Sequence, residues 1–205
     1  VNIPEVPKNF PGKPFIITES NSALMTRGYY RMPSDQMFIW PERWDKPFYD
    51  STFACSSYEN CHVPWGNTHE ESLLLIKKND FISGQYVWTG FDYIGEPTPY
   101  GWPARSSYFG IVDLAGFPKD VYYLYQSEWT EKQVLHLFPH WNWTEGQDVD
   151  MWCYYNQADE VELFVNGKSQ GIKSKDDNHL HVSWRVKYEP GSVKVVARKA
   201  GTVVA

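Results

Sequence analysis

A change of hydrophobic period near residue 130 constrains this chain more than any other feature. Upstream, the apolar residues come in short continuous runs, Phe15-Ile16-Ile17-Thr18 and Gly84 to Trp88. Runs of that length without alternation predict strands buried on both faces, as in a parallel sheet. From residue 133 onward the period becomes two. Val149, Met151, Cys153 and Tyr155 alternate with Asp148, Asp150 and Trp152, and Val161, Leu163 and Val165 alternate with Glu160, Glu162 and Phe164. That pattern predicts strands with one buried face. The expected fold class is therefore α/β plus all-β, with a division into residues 1–129 and 130–205.

In the upstream part each apolar run is followed by a long irregular stretch and then by helix-forming sequence. Ser20 to Gly66 is rich in Pro, Trp and Tyr, and connections that long are uncommon unless they are functional or locally folded. Thr68-His69-Glu70-Glu71 fits a capping box, and strong helix formers continue from Leu73 to Lys78. A second aromatic loop, Asp92 to Gly116, follows Trp88, and Pro118 opens a helix expected to run through Trp129. Strand, long loop and helix, twice over, is the repeat of an α/β barrel or an open parallel sheet. In barrels, reactive residues sit where strands end and loops begin.

In the downstream part Asn166-Gly167 suits a two-residue hairpin, because both central positions of a type I′ turn need positive φ. Leu180, Val182, Trp184 and Val186 form a further strand, Glu189-Pro190-Gly191 a turn, and Val193, Val195 and Ala197 begin another strand. Short strands with regular turns predict a β-sandwich of immunoglobulin-like type. The sequence stops within the apolar Val203-Val204 stretch, where a last strand is expected to be missing or shortened.

Composition narrows the partners. Lys and Arg total 19 against 25 Asp and Glu, and no basic stripe is available to neutralise a phosphate backbone, so nucleic acid is not an expected partner. Ten Trp and fourteen Tyr offer flat amphipathic rings that suit either a packed core or the faces of sugars. No apolar run approaches the roughly 18 residues of a membrane span, and Val1 to Pro14 lacks the charged and apolar segments of a signal peptide. Cys55, Cys61 and Cys153 are an odd set without CxxC spacing, expected as free, partly buried thiols, with a Cys55–Cys61 bridge as the alternative. No histidine spacing suggests a metal site, and no cofactor is expected. Asn142-Trp143-Thr144 matches the N-glycosylation pattern but is given no weight, since such triplets arise often by chance.

Four passages carry a family resemblance. Lys13-Pro14-Phe15-Ile16-Ile17-Thr18-Glu19-Ser20-Asn21-Ser22-Ala23 resembles the seventh barrel strand of glycoside hydrolase family 2, which ends in the nucleophilic glutamate. The stretch from Gly84 to Pro97 resembles the family's eighth strand and following loop, and that from Trp102 to Asp120 resembles its β-galactosidase-type members. Ala158 to Lys168 resembles the immunoglobulin-like domain that follows the barrel. The resemblance implies that residues 1–129 are the C-terminal portion of a (β/α)8 catalytic barrel. It also implies that the first six strands and the general acid/base glutamate lie upstream, so that the rest of the parent chain is needed to complete the barrel.

A retaining glycosidase uses two carboxyl groups about 5–5.5 Å apart, one attacking the anomeric carbon and one protonating the departing oxygen. The resemblance assigns the first role to Glu19. A strand end aims a carboxylate more rigidly than a loop does. Trp88, at the matching end of the next strand, is expected as an apolar platform for a sugar, with core packing as the alternative. Asp92 and Glu96 serve either as acceptors for sugar hydroxyls or as groups that orient neighbours and cap turns. Arg105 serves an acidic substituent or, as the favoured reading, pairs with Asp92. Ser22 departs from the histidine that some β-galactosidases of the family carry three positions after the nucleophile, which leaves the sugar open.

The expected function is a retaining exo-β-glycosidase of the β-galactosidase kind, acting on an oligosaccharide or a polysaccharide-derived β-glycoside, with the fragment alone inactive. β-Glucuronidase and β-mannosidase are the alternatives within the class, and a non-catalytic carbohydrate-binding module the alternative outside it. The resemblance to enzymes of glycan-degrading bacteria suggests a periplasmic or secreted parent.

Overall fold

A computed structural model describes residues 3–205. After a 3-10 turn (Ile3–Glu5) come α1 (Val6–Asn9), β1 (Phe15–Asn21), β2 (Phe38–Ile39), β3 (Cys61–His62), α2 (His69–Lys77), β4 (Ile82–Trp88) and α3 (Asp120–Trp129). The remaining elements are all strands: β5 (Leu135–Phe138), β6 (Asp148–Tyr155), β7 (Glu160–Val165), β8 (Lys168–Lys173), β9 (Val182–Lys187), β10 (Val193–Lys199) and β11 (Thr202–Val203). No helix of the described residues is long and apolar enough to cross a membrane.

Strands β1 and β4 pair in parallel, with Asn21 opposite Trp88, and α2 lies between them in the chain. The helix starts where the capping box requires. Thr68 Oγ1 accepts the Glu71 amide at 3.2 Å, and Glu71 Oε2 accepts the Thr68 amide at 2.9 Å. A second cap was not foreseen: the buried carboxylate of Glu59 accepts the amides of His69 (2.5 Å) and Glu70 (3.0 Å), which the positive end of a helix favours. Strand β1 differs from expectation in two ways. It continues to Asn21, past Glu19, and it is not buried on both faces, since Ile16 is 52% exposed. Among the described residues only β4 pairs with β1, so no neighbouring layer covers that face.

The long loop between β1 and α2 is locally folded. Strands β2 and β3 pair in parallel, and Leu24, Cys55, Cys61, Val63, Tyr100 and Phe109 form a core packed against Trp40, Phe48 and Phe53. Cys55, Cys61 and Cys153 are free and buried. Helix α3 ends at Trp129 as expected, and begins at Asp120, two residues beyond Pro118.

Downstream, β5, β6 and β9 form one antiparallel sheet, and β11, β10, β7 and β8 another. Val149, Met151, Cys153 and Tyr155 of β6 meet Val161, Leu163 and Val165 of β7 and Val182, Trp184 and Val186 of β9 in the core between them. At the β7–β8 turn Asn166 and Gly167 have φ of 48° and 78°, the two positive values that the hairpin demands.

Strand β6 departs from the half-buried pattern, because every residue after Asp148 is buried. Its second face, Trp152 and Tyr154, packs with Phe138 and Leu180 against Met25, Tyr58, Leu73, Val121, Leu124 and Tyr125. The two regions thus share one apolar core. At roughly 1.5–3 kcal/mol for each large side chain removed from water, that contact holds them together.

Candidate active site

The end of β1 is held by a set of hydrogen bonds from several segments. Glu19 is exposed, whereas Ser20, Asn21 and Ser22 are buried. Asn21 and Ser22 both adopt left-handed backbone, with φ of 77° and 60°, a conformation uncommon outside glycine and costing on the order of 1–2 kcal/mol each. Hydrogen bonds hold it. Asn21 Nδ2 donates to the Thr68 carbonyl (3.2 Å), Asn21 Oδ1 accepts from Ser20 Oγ (2.6 Å) and the Tyr125 hydroxyl (3.4 Å), and the Asn21 carbonyl accepts the Asn67 amide (2.8 Å). The Ser22 amide donates to the Trp88 carbonyl at 3.4 Å. Gly66 lies against this reversal so closely that a Cβ there would stand 2.3 Å from the Asn21 carbonyl oxygen.

Behind the reversal is a buried polar chain. The Tyr125 hydroxyl lies 2.8 Å from Nδ1 of His69 at the start of α2. Burial, with the charge of Lys119 second, pulls His69 down to about 3, so the imidazole is neutral at ordinary pH. Burial pushes the Glu59 carboxyl well above its usual range, against the two helix amides that favour its charged form.

In front of the reversal lies a hollow of about 840 Å3, lined among others by Glu19, Asn21, Ser22, Trp65, Asn67 and Glu71. Trp65 was not singled out from the sequence. It belongs to the loop that closes back on Asn21, and the Gly66 beside it is the one local sign of a close approach.

Trp88, opposite Asn21 in the parallel pair, is 36% exposed, and its peptide bond to Thr89 is cis. Tyr93 stands edge-on to its indole at 5.8 Å and donates from its hydroxyl to Glu96 Oε2 at 2.5 Å. Burial, then the hydrogen bond and charge of Glu96, raise the Tyr93 pKa, and the charge of Glu19 adds to the same rise. Tyr93 therefore links Trp88 to Glu96. No pattern in the sequence distinguishes it from the other tyrosines.

Asp92 takes the structural course of its two readings. Its side chain turns inward, with Oδ2 2.7 Å from Nζ of the fully buried Lys119 and Oδ1 accepting the Gly110 amide (2.8 Å) and Ser107 Oγ (3.3 Å). The expected Asp92–Arg105 pair is replaced by this one. Lys119 also donates to the carbonyls of Met25 and Tyr108, a set of acceptors that an exposed arginine cannot reach. Arg105 instead lays its guanidinium over the Trp102 ring at 4.6 Å, beside a separate hollow lined by Arg27, Asp113 and Tyr108. Among the described residues no group of three or more His, Cys, Asp or Glu side chains is placed to hold a metal ion.

The chain was compared with known proteins as a whole. A domain family of unknown function, DUF4982, matches residues 146–205. A β-galactosidase of Bacteroides ovatus, BoGH2A, is 86% identical over 204 residues, covering 100% of this chain and 24% of its own length. A β-glucuronidase of Bacteroides fragilis is 29% identical over 119 residues, which is 57% of this chain and 17% of the relative. A crystal structure of a β-glycosidase from Bacteroides vulgatus superposes with a TM-score of 0.84 at 32% identity, covering 98% of this chain and 28% of that one. The chain thus spans about a quarter or less of the curated relatives it matches. A glycosyl hydrolase family 2 member from Bacteroides cellulosilyticus matches over 66% of this chain at 26% identity, with a TM-score of 0.58. On this sequence and structural likeness, the chain belongs to glycoside hydrolase family 2.

Proposed function

We propose that the chain supplies the nucleophile and the final strands of the catalytic barrel in a retaining exo-β-glycosidase that removes terminal β-galactosyl residues from an oligosaccharide or a polysaccharide-derived glycoside. Strands β1 and β4 are read as neighbouring strands of a (β/α)8 barrel in residues 1–129, and residues 130–205 as an immunoglobulin-like sandwich packed on it. The supporting observation is that Glu19 lies two residues before the end of β1, whose last residue pairs in parallel with Trp88 at the end of β4, next to a reversal held by Asn21, Thr68 and Asn67.

In this reading Glu19 attacks the anomeric carbon and forms a covalent glycosyl-enzyme, which water then hydrolyses. The proton for the departing oxygen comes from a second glutamate outside this chain. Trp88 offers its partly exposed indole to the C–H face of the sugar, and Glu96 accepts a hydroxyl. Asp92, spent on Lys119, fixes the loop that carries Tyr93 and Glu96. Arg105, stacked on Trp102, stands apart from this group.

The test is Glu19→Gln in the full-length enzyme, assayed with an aryl β-galactoside. Activity should fall by several orders of magnitude, and wild-type-like turnover would end the proposal. A β-glucuronidase is the second reading, favoured by the name of the Bacteroides fragilis relative. Parallel assays of aryl β-galactoside and aryl β-glucuronide on the wild-type enzyme separate the two.

A further inference from the structure

We propose that Tyr125 of α3 is a positioning residue for Glu19 and acts on it through the side chain of Asn21. The inference rests on the proposed active site and goes beyond it, to the interior side of the strand that carries the nucleophile.

Three segments meet on the Asn21 amide. Its Nδ2 donates to the Thr68 carbonyl at the start of α2 (3.2 Å), which fixes which end of the amide is the acceptor. Oδ1 then accepts from Ser20 Oγ at 2.6 Å and from the Tyr125 hydroxyl at 3.4 Å. Ser20 is the residue next to Glu19, and its hydroxyl also lies 3.1 Å from the Tyr86 carbonyl of β4. One side chain thus joins the end of β1 to both helices, with β4 one contact away.

The direction of these bonds follows from their chemistry. An amide oxygen accepts and cannot donate, so Tyr125 gives it its single proton. The phenolic oxygen is left to accept from Nδ1–H of His69, 2.8 Å away. In the opposite direction Tyr125 would donate to His69, and Asn21 would lose this donor. His69 Nε2, buried without a partner among the described residues, would then carry a stranded N–H. Burial, with the charge of Glu59 second, raises the Tyr125 pKa and keeps the proton on its hydroxyl.

At 3.4 Å the Tyr125–Asn21 contact is long for O–H···O. Its weight comes from enclosure: His69 is 0% exposed, Asn21 3% and Tyr125 4%, all of it by residues of this chain. A polar contact in such surroundings is stronger than the same contact in water. Asn21 holds a left-handed φ of 77° two residues from Glu19, so a loosened side chain lets the reversal relax and the carboxylate shift. Tyr125 itself touches no sugar in this reading. The loss on removing its hydroxyl therefore falls on kcat and spares KM.

The experiment uses the full-length enzyme and an aryl β-galactoside. Tyr125→Phe should lower kcat about tenfold with KM within about twofold of wild type. Asn21→Gly, which keeps the left-handed backbone accessible, should lose at least as much, and the double variant no more than Asn21→Gly alone. A control in Glu19→Ala separates positioning from a general lesion. There sodium azide supplies the nucleophile: azide attacks the anomeric carbon of a dinitrophenyl β-galactoside, the aryloxide departs and an α-galactosyl azide forms. Tyr125→Phe should leave that rate within about twofold, because no carboxylate remains to be aimed. The inference is overturned by a Tyr125→Phe kcat within about twofold of wild type, by independent effects of the two substitutions, or by an equal loss in the azide reaction. Glu19→Ala that stays active without azide defeats the underlying reading instead.

Discussion

The guanidinium of Arg185 grips the carboxylate of Asp150 at two points, Nε to Oδ1 at 2.6 Å and Nη2 to Oδ2 at 3.0 Å. The amide of Ser34, from the upstream loop, donates to the same carboxylate at 2.7 Å, and the Tyr58 hydroxyl donates to the Asp150 carbonyl at 2.6 Å. One aspartate of β6 thus ties the two regions together. Burial pushes its pKa up, but the bonds from Arg185 and Ser34 outweigh burial and hold the carboxyl below its usual range.

Acid should therefore loosen the junction, and the sign follows from linkage. A carboxyl with a folded pKa below its unfolded value of about 3.9 contributes stability that is complete above that value and is lost as pH falls through the folded one. Urea midpoints of the chain taken at about pH 6 and about pH 3 should show a loss that Asp150→Asn reduces, the variant starting from a lower stability at the higher pH. An identical acid slope in variant and wild type would contradict the assignment.

Gly66 should prove intolerant of even one methyl group. With a Cβ 2.3 Å from the Asn21 carbonyl oxygen, Gly66→Ala must displace the backbone reversal that follows Glu19. A shift of about 1 Å in a reacting group can cost on the order of 100-fold in rate. The full-length variant should lose about that much in kcat for an aryl β-galactoside while remaining folded by circular dichroism. Unchanged kcat would mean that Glu19 does not depend on this contact.

These contacts also mark where the sequence stops being readable. The Thr68 capping box, the Asn166-Gly167 turn and the alternation of β7 are local, and each appears where its residues predict. The second face of β6 is not local. Trp152 and Tyr154 sit in an alternating strand, and nothing nearby says that Met25, Tyr58 and Leu124 will cover them. Asp92 and Lys119 are separated by a whole loop, so the choice of Lys119 over the nearer Arg105 depends on which side chain ends up buried. The strand before Glu19 was visible because it is a short apolar run, but its continuation to Asn21 was not, since Ser20 and Asn21 are polar. Tyr93, Trp65 and Gly66 act through tertiary approach and leave little trace in the order of residues.

Lys119 offers a test of that buried pair. Burial pulls Lys119 down and pushes Asp92 up, toward the neutral form of each, while their mutual attraction and hydrogen bonds oppose it. Removing one member strands the other, so Lys119→Met should destabilise the chain by about 3–5 kcal/mol in urea unfolding. Adding Asp92→Asn should restore part of the loss, because the uncompensated charge disappears. Strict additivity of the two substitutions would show that the residues do not act as a pair.

The two caps of α2 should respond differently to pH. Thr68→Ala removes a neutral cap and should cost about 1 kcal/mol at any pH between roughly 4 and 9. Glu59 is fully buried, and its pKa is raised well above the ordinary value, first by burial, in spite of the His69 and Glu70 amides. A carboxyl with a raised folded pKa contributes stability that is complete below the unfolded value of about 4.3 and is lost as pH rises through the folded one. Glu59→Gln removes that titration while keeping one acceptor for the helix amides. The advantage of the wild type over Glu59→Gln, read from urea midpoints, should therefore shrink steadily above about pH 4.3, whereas the gap to Thr68→Ala stays level. A Glu59→Gln gap that widens with pH would mean that the helix amides, and not burial, set the charge state of Glu59.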